Sequence, residues 1–400
     1  MKKLVINSLV VIFSLVIAFF ITECLLRIIL PKIEEASYKV ENGDLLLRPD
    51  NNLLHTIIPG ALGKYDKNGY KNFDLKDEYD IVALGDSHTH GTFNDNYDVS
   101  WPMFLSQKMD KTVYNMGVWG YGPAQFYSQM DKAISFSPDF ILVGVYLGND
   151  IFDAYNVVYH ADGWDDFKTD SFVDDNPIVA SDLKSTKIPF RKIRDYFREN
   201  SVFYKFLGDR TRILREKIGI SSPRTIGTSD WTTNDKDASL IYNNANLKTV
   251  FGSGLHAKGV DLNDDNIKEG LRLTKVFFEN IEQKAADNDI QVLWGFIPTK
   301  ESVYNAVVGD LADDNMYFSD IVKNEKKIKE ELSEFCLIEH MSCFDLLPPL
   351  QKALQDKKNI YPESWDTHPN ENGYNIYADN FMYYLNEMVN SNQGENNNLK

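Results

Sequence analysis

Residues 81–91 read IVALGDSHTHG, an apolar run that closes on glycine and then sets a serine among an aspartate and two histidines. A serine hydroxyl becomes a nucleophile when a base takes its proton, and histidine is the side chain that titrates nearest neutral pH. Ser87 is therefore a candidate nucleophile; the competing reading is a polar turn residue capping the next segment. Gly-Asp-Ser does not decide by itself, since average residue usage yields it by chance in roughly one chain of this length in ten. A base, a carboxylate and donors for a developing oxyanion have to come from elsewhere in the chain.

Three further stretches offer them. DTH near the C-terminus supplies His368 as base and Asp366 to orient it; in an extended segment two residues apart, both side chains point the same way. NMGVWG ends in Gly120, and LGND carries Asn149. The backbone N–H groups of Ser87 and Gly120 and the amide of Asn149 make three oxyanion donors, each worth about 10²–10³ in rate. Asp150 reads as a helix cap. His88 and His90 beside Asp86 resemble metal ligands, but the spacing is short and no second ligand cluster follows. They are expected to line the pocket, with no metal and no cofactor. Trp119 and Trp365 flank the candidate loops, where sugar stacking and plain packing are equally open.

These residues need a scaffold that gathers them. YDIVALG is a short apolar strand, WPMFLSQKM a helix with Pro102 in its first turn, TVYNMG a second strand and PAQFYSQMDKAISF a second helix. DFILVGVYLGND is a third strand, apolar almost throughout, as a strand covered on both faces is. From 155 to 262 the alternation gives way to an Asp-, Asn- and Ser-rich insertion with one helical stretch, FRKIRDYFRENSVFYKFLGDRTRILREKIG. It resumes with IKEGLRLTKVFFENIEQKAADN as helix, IQVLWGFIP as strand, a helix near FSDIVKNEKKIKEELSEF, a strand at CFDLL and a last helix in NENGYNIYADNFMYYLNEMV. Five strands alternating with helices mean an α/β domain, a parallel sheet with helices on both faces. Ligands bind beyond the carboxyl ends of such strands. Ser87, Gly120, Asn149 and the Asp366–His368 pair all fall there, and this convergence is the argument for a site.

The N-terminus sets a location. After Lys2 and Lys3, nineteen residues from Leu4 to Thr22 carry no charge, and as a helix they span roughly 29 Å, one hydrocarbon core. The run is longer than a signal-peptide core and lacks a small-residue cleavage site, and Glu23 precedes Cys24 where a lipobox needs a small residue. Residues 1–32 are expected to be an uncleaved transmembrane anchor, 33–78 a stalk and lead-in, 79–390 the catalytic domain and 391–400 a disordered tail. On this reading the chain crosses the cytoplasmic membrane once and the domain lies outside the cytoplasm. The formal net charge of −17 and the lack of a basic cluster argue against nucleic acid as a partner. Cys336 and Cys343 either pair in that oxidising compartment or are two buried thiols.

The motifs GDS at Ser87, NMGVWG at Gly120, ND at Asn149 and DTH at His368 resemble those of the SGNH (GDSL-type) hydrolase family over residues 79–150 and 263–390. The resemblance implies a three-layer flavodoxin-like fold and a serine esterase with Ser87, Gly120, Asn149 and His368 at the family positions and Asp366 completing the triad. This chain departs from the family pattern in three places. Gly148 abuts Asn149 directly, one residue rather than two separates Asp366 from His368, and His88 follows the serine. The D-x-H spacing resembles that of SGNH-like enzymes acting on exported polysaccharides, and VLWGFIPTKESVY looks like the later part of membrane-anchored SGNH proteins linked to cell-surface polysaccharides. With the location, the resemblance implies an O-acetylated glycan or another extracytoplasmic ester as substrate. The same triad also fits an O-acyltransferase with a sugar hydroxyl in place of water, and the same scaffold fits a non-catalytic glycan-binding or assembly subunit.

Overall fold

The structure is a computed structural model. It describes residues 7, 13, 14, 19, 20, 22, 23, 47–61, 64–72, 75–94, 97–169, 172, 239–244, 247–252, 257–309, 316–364 and 366–398. The chain divides into two units, Met1–Gly43 with Asn176–Thr228, and Asp44–Asp175 with Ser229–Lys400. In the first unit the few described residues, among them Phe19 and Phe20, have helical backbone. Among the described residues no helix is long and apolar enough to cross a membrane. The apolar run 4–22 lies mostly outside them, and the helical stretch expected at 190–219 lies wholly outside.

The second unit begins with two short strands, β1 (Leu47–Asp50) and β2 (Leu54–Ile57), paired antiparallel. The central sheet is built from β3 (Ile81–Gly85), β6 (Val113–Asn115), β7 (Phe140–Tyr146), β10 (Gln291–Ile297) and β11 (Ser342–Asp345). These lie in the order β6-β3-β7-β10-β11, every pairing parallel. In chain order this is 2-1-3-4-5, the doubly wound flavodoxin-like arrangement, whose switch point falls between the first and third strands. Two antiparallel hairpins stand outside the sheet, β4 (Thr92–Asn94) with β5 (Tyr97–Val99) and β8 (Ser239–Asn244) with β9 (Leu247–Gly252).

Helices cover both faces: α1 (Ser87–His90), α2 (Trp101–Met109), α3 (Pro123–Ile134), α4 (Asp150–His160), α5 (Asp265–Ala286), α6 (Lys300–Val308), α7 (Met316–Ile338), α8 (Leu347–Gln355) and α9 (Glu371–Asn398). Alternation along β3 shows the layering. Val82 and Leu84 join a core with Phe126 of α3, Phe278 of α5 and Ile328 of α7. Ile81 and Ala83 join the opposite core with Leu105 of α2, Tyr304 of α6, Leu354 of α8 and Phe381 of α9. The central strands β3 (IVALG) and β7 (FILVGVY) carry no charged or amide side chain because both faces are packed.

Local signals set several boundaries. Ser100 caps α2 through its side chain and Pro102 sits in the first turn. The last helix continues to Asn398, into the stretch expected to be a tail. The expected lead-in is part of the domain from Leu47 onward: Ile57 and Tyr65 are buried in the core, and His55 and Lys71 are buried as well. The hairpin β8–β9, inside the expected insertion, packs Tyr242, Leu247 and Phe251 into the second core. Cys336, at the end of α7, is disulfide-bonded to Cys343 of β11.

Candidate active site

Ser87 opens α1 directly beyond the carboxyl end of β3. Gly85 allows this approach: a Cβ there would lie 2.1 Å from Thr89 Oγ1 and 2.8 Å from the Gly144 carbonyl oxygen. Thr89 occupies that space and accepts from Trp101 Nε1 at 3.3 Å, which seats α1 against the sheet. Asp86 caps the helix, its Oδ1 accepting from His88 N–H at 2.8 Å.

His368 arrives on the segment between α8 and α9. Its Nε2 lies 2.8 Å from Ser87 Oγ, across 281 residues of sequence, and its Nδ1 lies 2.7 Å from Asp366 Oδ1. The carboxylate has no proton to give, so Nδ1–H donates to it and Nε2 is left to accept from the serine. The same Oδ1 accepts from the His368 backbone N–H at 3.0 Å, closing a tight local turn. Burial alone pulls the His368 imidazole down; the hydrogen bond to Asp366 and the charges of Asp366 and Asp86 outweigh it, and the pKa is raised. For Asp366, burial pushes up, but the bonds and charge of His368 and the charge of Lys300 win and hold it below the usual range. Ser87 Oγ also stands 3.2 Å from Asp86 Oδ2. Burial raises Asp86 to about 6, opposed by the donors of His88 and Ser87.

The other two candidates lie on the neighbouring loops. Gly120 has φ 65°, a left-handed conformation that favours glycine. His55 Nε2–H donates to the carbonyl of Trp119 at 2.7 Å and fixes this loop from the lead-in segment. Asn149 is the N-cap residue of α4, and its Nδ2 donates to Asp153 Oδ2 at 2.6 Å. Asp150 Oδ2, buried, accepts from Tyr146 N–H at 2.9 Å. Three carboxyls thus influence one another near Asn149. Burial and the charge of Asp86 push Asp150 and Asp153 well up, toward the uncharged form. In that form they do not oppose negative charge on a bound oxygen.

His88 and His90 are both buried. His88 stacks on Tyr146 with ring centroids 3.9 Å apart and lies 4.8 Å from the His368 ring, so it forms part of the wall behind His368. His90 donates from Nδ1 to the Gly91 carbonyl at 2.8 Å and accepts from Tyr65 Oη at 2.9 Å; its ring lies 4.4 Å from Trp119. That network holds the wall together. Among the described residues, no group of three or more His, Cys, Asp or Glu is set to hold a metal. Trp365 lies outside the described residues.

Two residues of the site were not singled out from the sequence. Asp153 carried a weak signal, being one helical turn beyond Asn149 on the same face. Lys300, described below, lies in the stretch VLWGFIPTKESVY, but no residue of that stretch was assigned a role. No protein-family model matches the chain, and no curated protein does. Among solved structures it is similar to a protein assigned to the G-D-S-L lipolytic family from Desulfitobacterium hafniense DCB-2, at 13% identity and a TM-score of 0.36, covering 76% of this chain and 98% of that one. It is similar also to a GDSL-like lipase from Bacteroides thetaiotaomicron VPI-5482, at 10% identity and TM-score 0.34, covering 78% and 87%. An alpha/beta hydrolase enzyme from the metagenome of Lake Arreo, Spain, matches at 9% identity and TM-score 0.33, covering 76% and 94%.

Proposed function

We propose that this chain is a serine esterase that removes acyl groups, acetyl above all, from a glycan outside the cytoplasm, held at the cytoplasmic membrane by its N-terminal apolar run. The observation that carries the catalytic part is the unbroken relay from Ser87 Oγ through the His368 ring to Asp366. The glycan and the anchor rest on the sequence resemblance and the apolar run.

In the proposed reaction His368 Nε2 takes the Ser87 proton as Oγ bonds to the ester carbonyl carbon, and the carbonyl π pair moves onto oxygen. The backbone N–H groups of Ser87 and Gly120 and the Asn149 amide hold that oxyanion. Collapse expels the sugar alkoxide, which receives the proton from His368. Water then attacks the acyl-enzyme with His368 again as base, and the carboxylic acid leaves as Ser87 regains its proton. Asp366 stays ionised throughout and stabilises the imidazolium.

The test is labelling of the full chain with a fluorophosphonate, read as intact mass. One adduct on the wild type, absent from Ser87→Ala and His368→Ala, is the expected result. An adduct that persists in Ser87→Ala would mean a different nucleophile, and no adduct on folded protein would favour the binding-subunit reading.

A further inference from the structure

Lys300 has no part in the relay, yet it is 1% exposed. Lysine is almost never buried so fully unless paired, because its ammonium loses hydration. An ammonium has three N–H donors, and three carbonyl oxygens meet this one. Nζ donates to Ser364 at 2.7 Å, to Asp366 at 2.9 Å and to Val250 at 3.4 Å. The rings of Phe251 and Tyr361 lie 5.8 and 5.7 Å from Nζ.

Two of those carbonyls belong to the segment that delivers His368. Between α8 and α9, the described residues of 356–370 belong to no helix or strand. Beyond its local turn bonds, Asp366 N–H to Ser364 Oγ at 3.3 Å and His368 N–H to Asp366 Oδ1 at 3.0 Å, the backbone around Asp366 is held by what is docked onto it. Thr249 Oγ1 of β9 donates to the carbonyl of Ser364 at 3.3 Å, so the hairpin and α6 grip the same stretch. The α6 end is itself fixed. Glu325 of α7, buried, accepts from Thr299 N–H at 3.2 Å, from Thr299 Oγ1 and from Ser302 Oγ at 2.7 Å.

We propose that Lys300 is a positioning residue for the Asp366–His368 pair, tying the backbone of that segment to α6 and the β8–β9 hairpin so that His368 Nε2 meets Ser87. The proposal rests on Ser87 and His368 being nucleophile and base. The charge of Lys300 also helps keep Asp366 ionised. Burial pulls the Lys300 ammonium down to about 8, against the charges of Glu301 and Asp366 that favour it. The groups facing it are Glu301 on its own helix, Asp366 on the gripped segment, and Tyr361, whose hydroxyl burial keeps uncharged across the working range. Deprotonation leaves two N–H groups for three carbonyls and turns a lone pair toward one of them. The grip then loosens as pH rises through about 8.

The experiment measures the fluorophosphonate labelling rate of the full chain from acid to alkaline pH for wild type, Lys300→Met, Thr249→Val and Ser87→Ala, with thermal melts alongside. Lys300→Met is expected to label about 10²-fold more slowly, the scale of a 1 Å misplacement. The wild-type rate is expected to fall above pH of about 8 and the Lys300→Met rate to show no such limb. A purely structural lysine would lower the melting temperature but leave the labelling rate of folded protein and its alkaline limb unchanged; that result overturns the proposal. Should Lys300→Met not fold, Thr249→Val loosens the same segment with Lys300 in place. Its labelling is then expected to slow and its alkaline limb to persist, and a wild type without that limb overturns the proposal. Labelling that survives Ser87→Ala instead sinks the catalytic reading, and this one with it.

Discussion

Replacing Asp366 separates two tasks that one oxygen performs. Oδ1 accepts from the His368 ring at 2.7 Å and from the His368 backbone N–H at 3.0 Å. In Asp366→Asn a carbonyl oxygen can keep both bonds, because the backbone donor selects oxygen over the amide nitrogen. The side chain is 44% exposed, so the new NH₂ is free to be hydrated. The imidazole then keeps its tautomer and loses only the charge opposite it. A hydrogen bond to a charged group contributes about 1.5–3 kcal/mol and a neutral one about 0.5–1.5. With solvent screening, the loss falls near 1 kcal/mol, roughly a fivefold to tenfold fall in rate. Asp366→Ala removes the acceptor altogether and frees the ring to rotate and change tautomer, which costs about 10³–10⁴. The pH profile moves with the charge. His368 works as a base when neutral, so the rate rises with pH through its pKa, which the wild type holds above 6.5. Without the carboxylate, burial prevails and the acid limb shifts to lower pH in both variants. Hydrolysis of p-nitrophenyl acetate, measured as kcat/KM against pH, reads both effects. An Asn variant as slow as the Ala variant would refute the assignment of both bonds to one oxygen. An unmoved acid limb would refute Asp366 as the charge partner.

Asp153→Ala frees the Asn149 amide from its 2.6 Å anchor and is expected to lower kcat about 10- to 10²-fold with KM little changed, as misplacing an oxyanion donor does; a fall in KM alone would contradict it. Reducing the Cys336–Cys343 link, seven residues apart in sequence, is expected to cost about 2.5 kcal/mol by loop entropy. It should lower Tm under dithiothreitol while the labelling rate of folded protein stays the same. Glu325, raised to about 7 by burial against its Ser302 and Thr299 donors, gives stability that is full below its unfolded pKa and lost as pH rises toward 7. The loss amounts to about 3 kcal/mol. Thermal melts of wild type should therefore decline over that window, and Glu325→Gln should flatten the decline; a slope unaltered in the variant would assign it to another group.

Where the sequence could be read, one local pattern was enough. Ile81–Leu84 and Ile141–Val145 are apolar at every position but Gly144, which says that both faces are covered, and a polar motif directly after each strand says which edge carries the site. Ser87, Gly120 and Asn149 each follow a strand of the sheet within a few residues, whereas His368 lies beyond α8, 23 residues after β11 ends at Asp345, and was singled out by its DTH motif rather than by a strand. The lead-in was misleading because its polar residues, prolines and glycines match a linker in composition. What makes it part of the domain is long-range: Tyr65 reaching His90, and His55 holding the Trp119 carbonyl.

Lys300 shows why the remainder was hidden. By local pattern a lysine two residues after Pro298, at the start of a helix, is a solvated side chain. Its burial is made by Val250, 50 residues earlier, and by Ser364 and Asp366, 64 and 66 residues later. No window contains those partners together. The same holds for the hairpin β8–β9, which lies in a stretch read as an insertion for its Asp-, Asn- and Ser-rich composition, yet its Thr249 touches the segment that carries His368. Motifs name the groups proposed to exchange protons. The distances at which they do so are set by residues whose role exists only once remote segments have met, and those residues are where substitutions should change rate without touching any group that reacts.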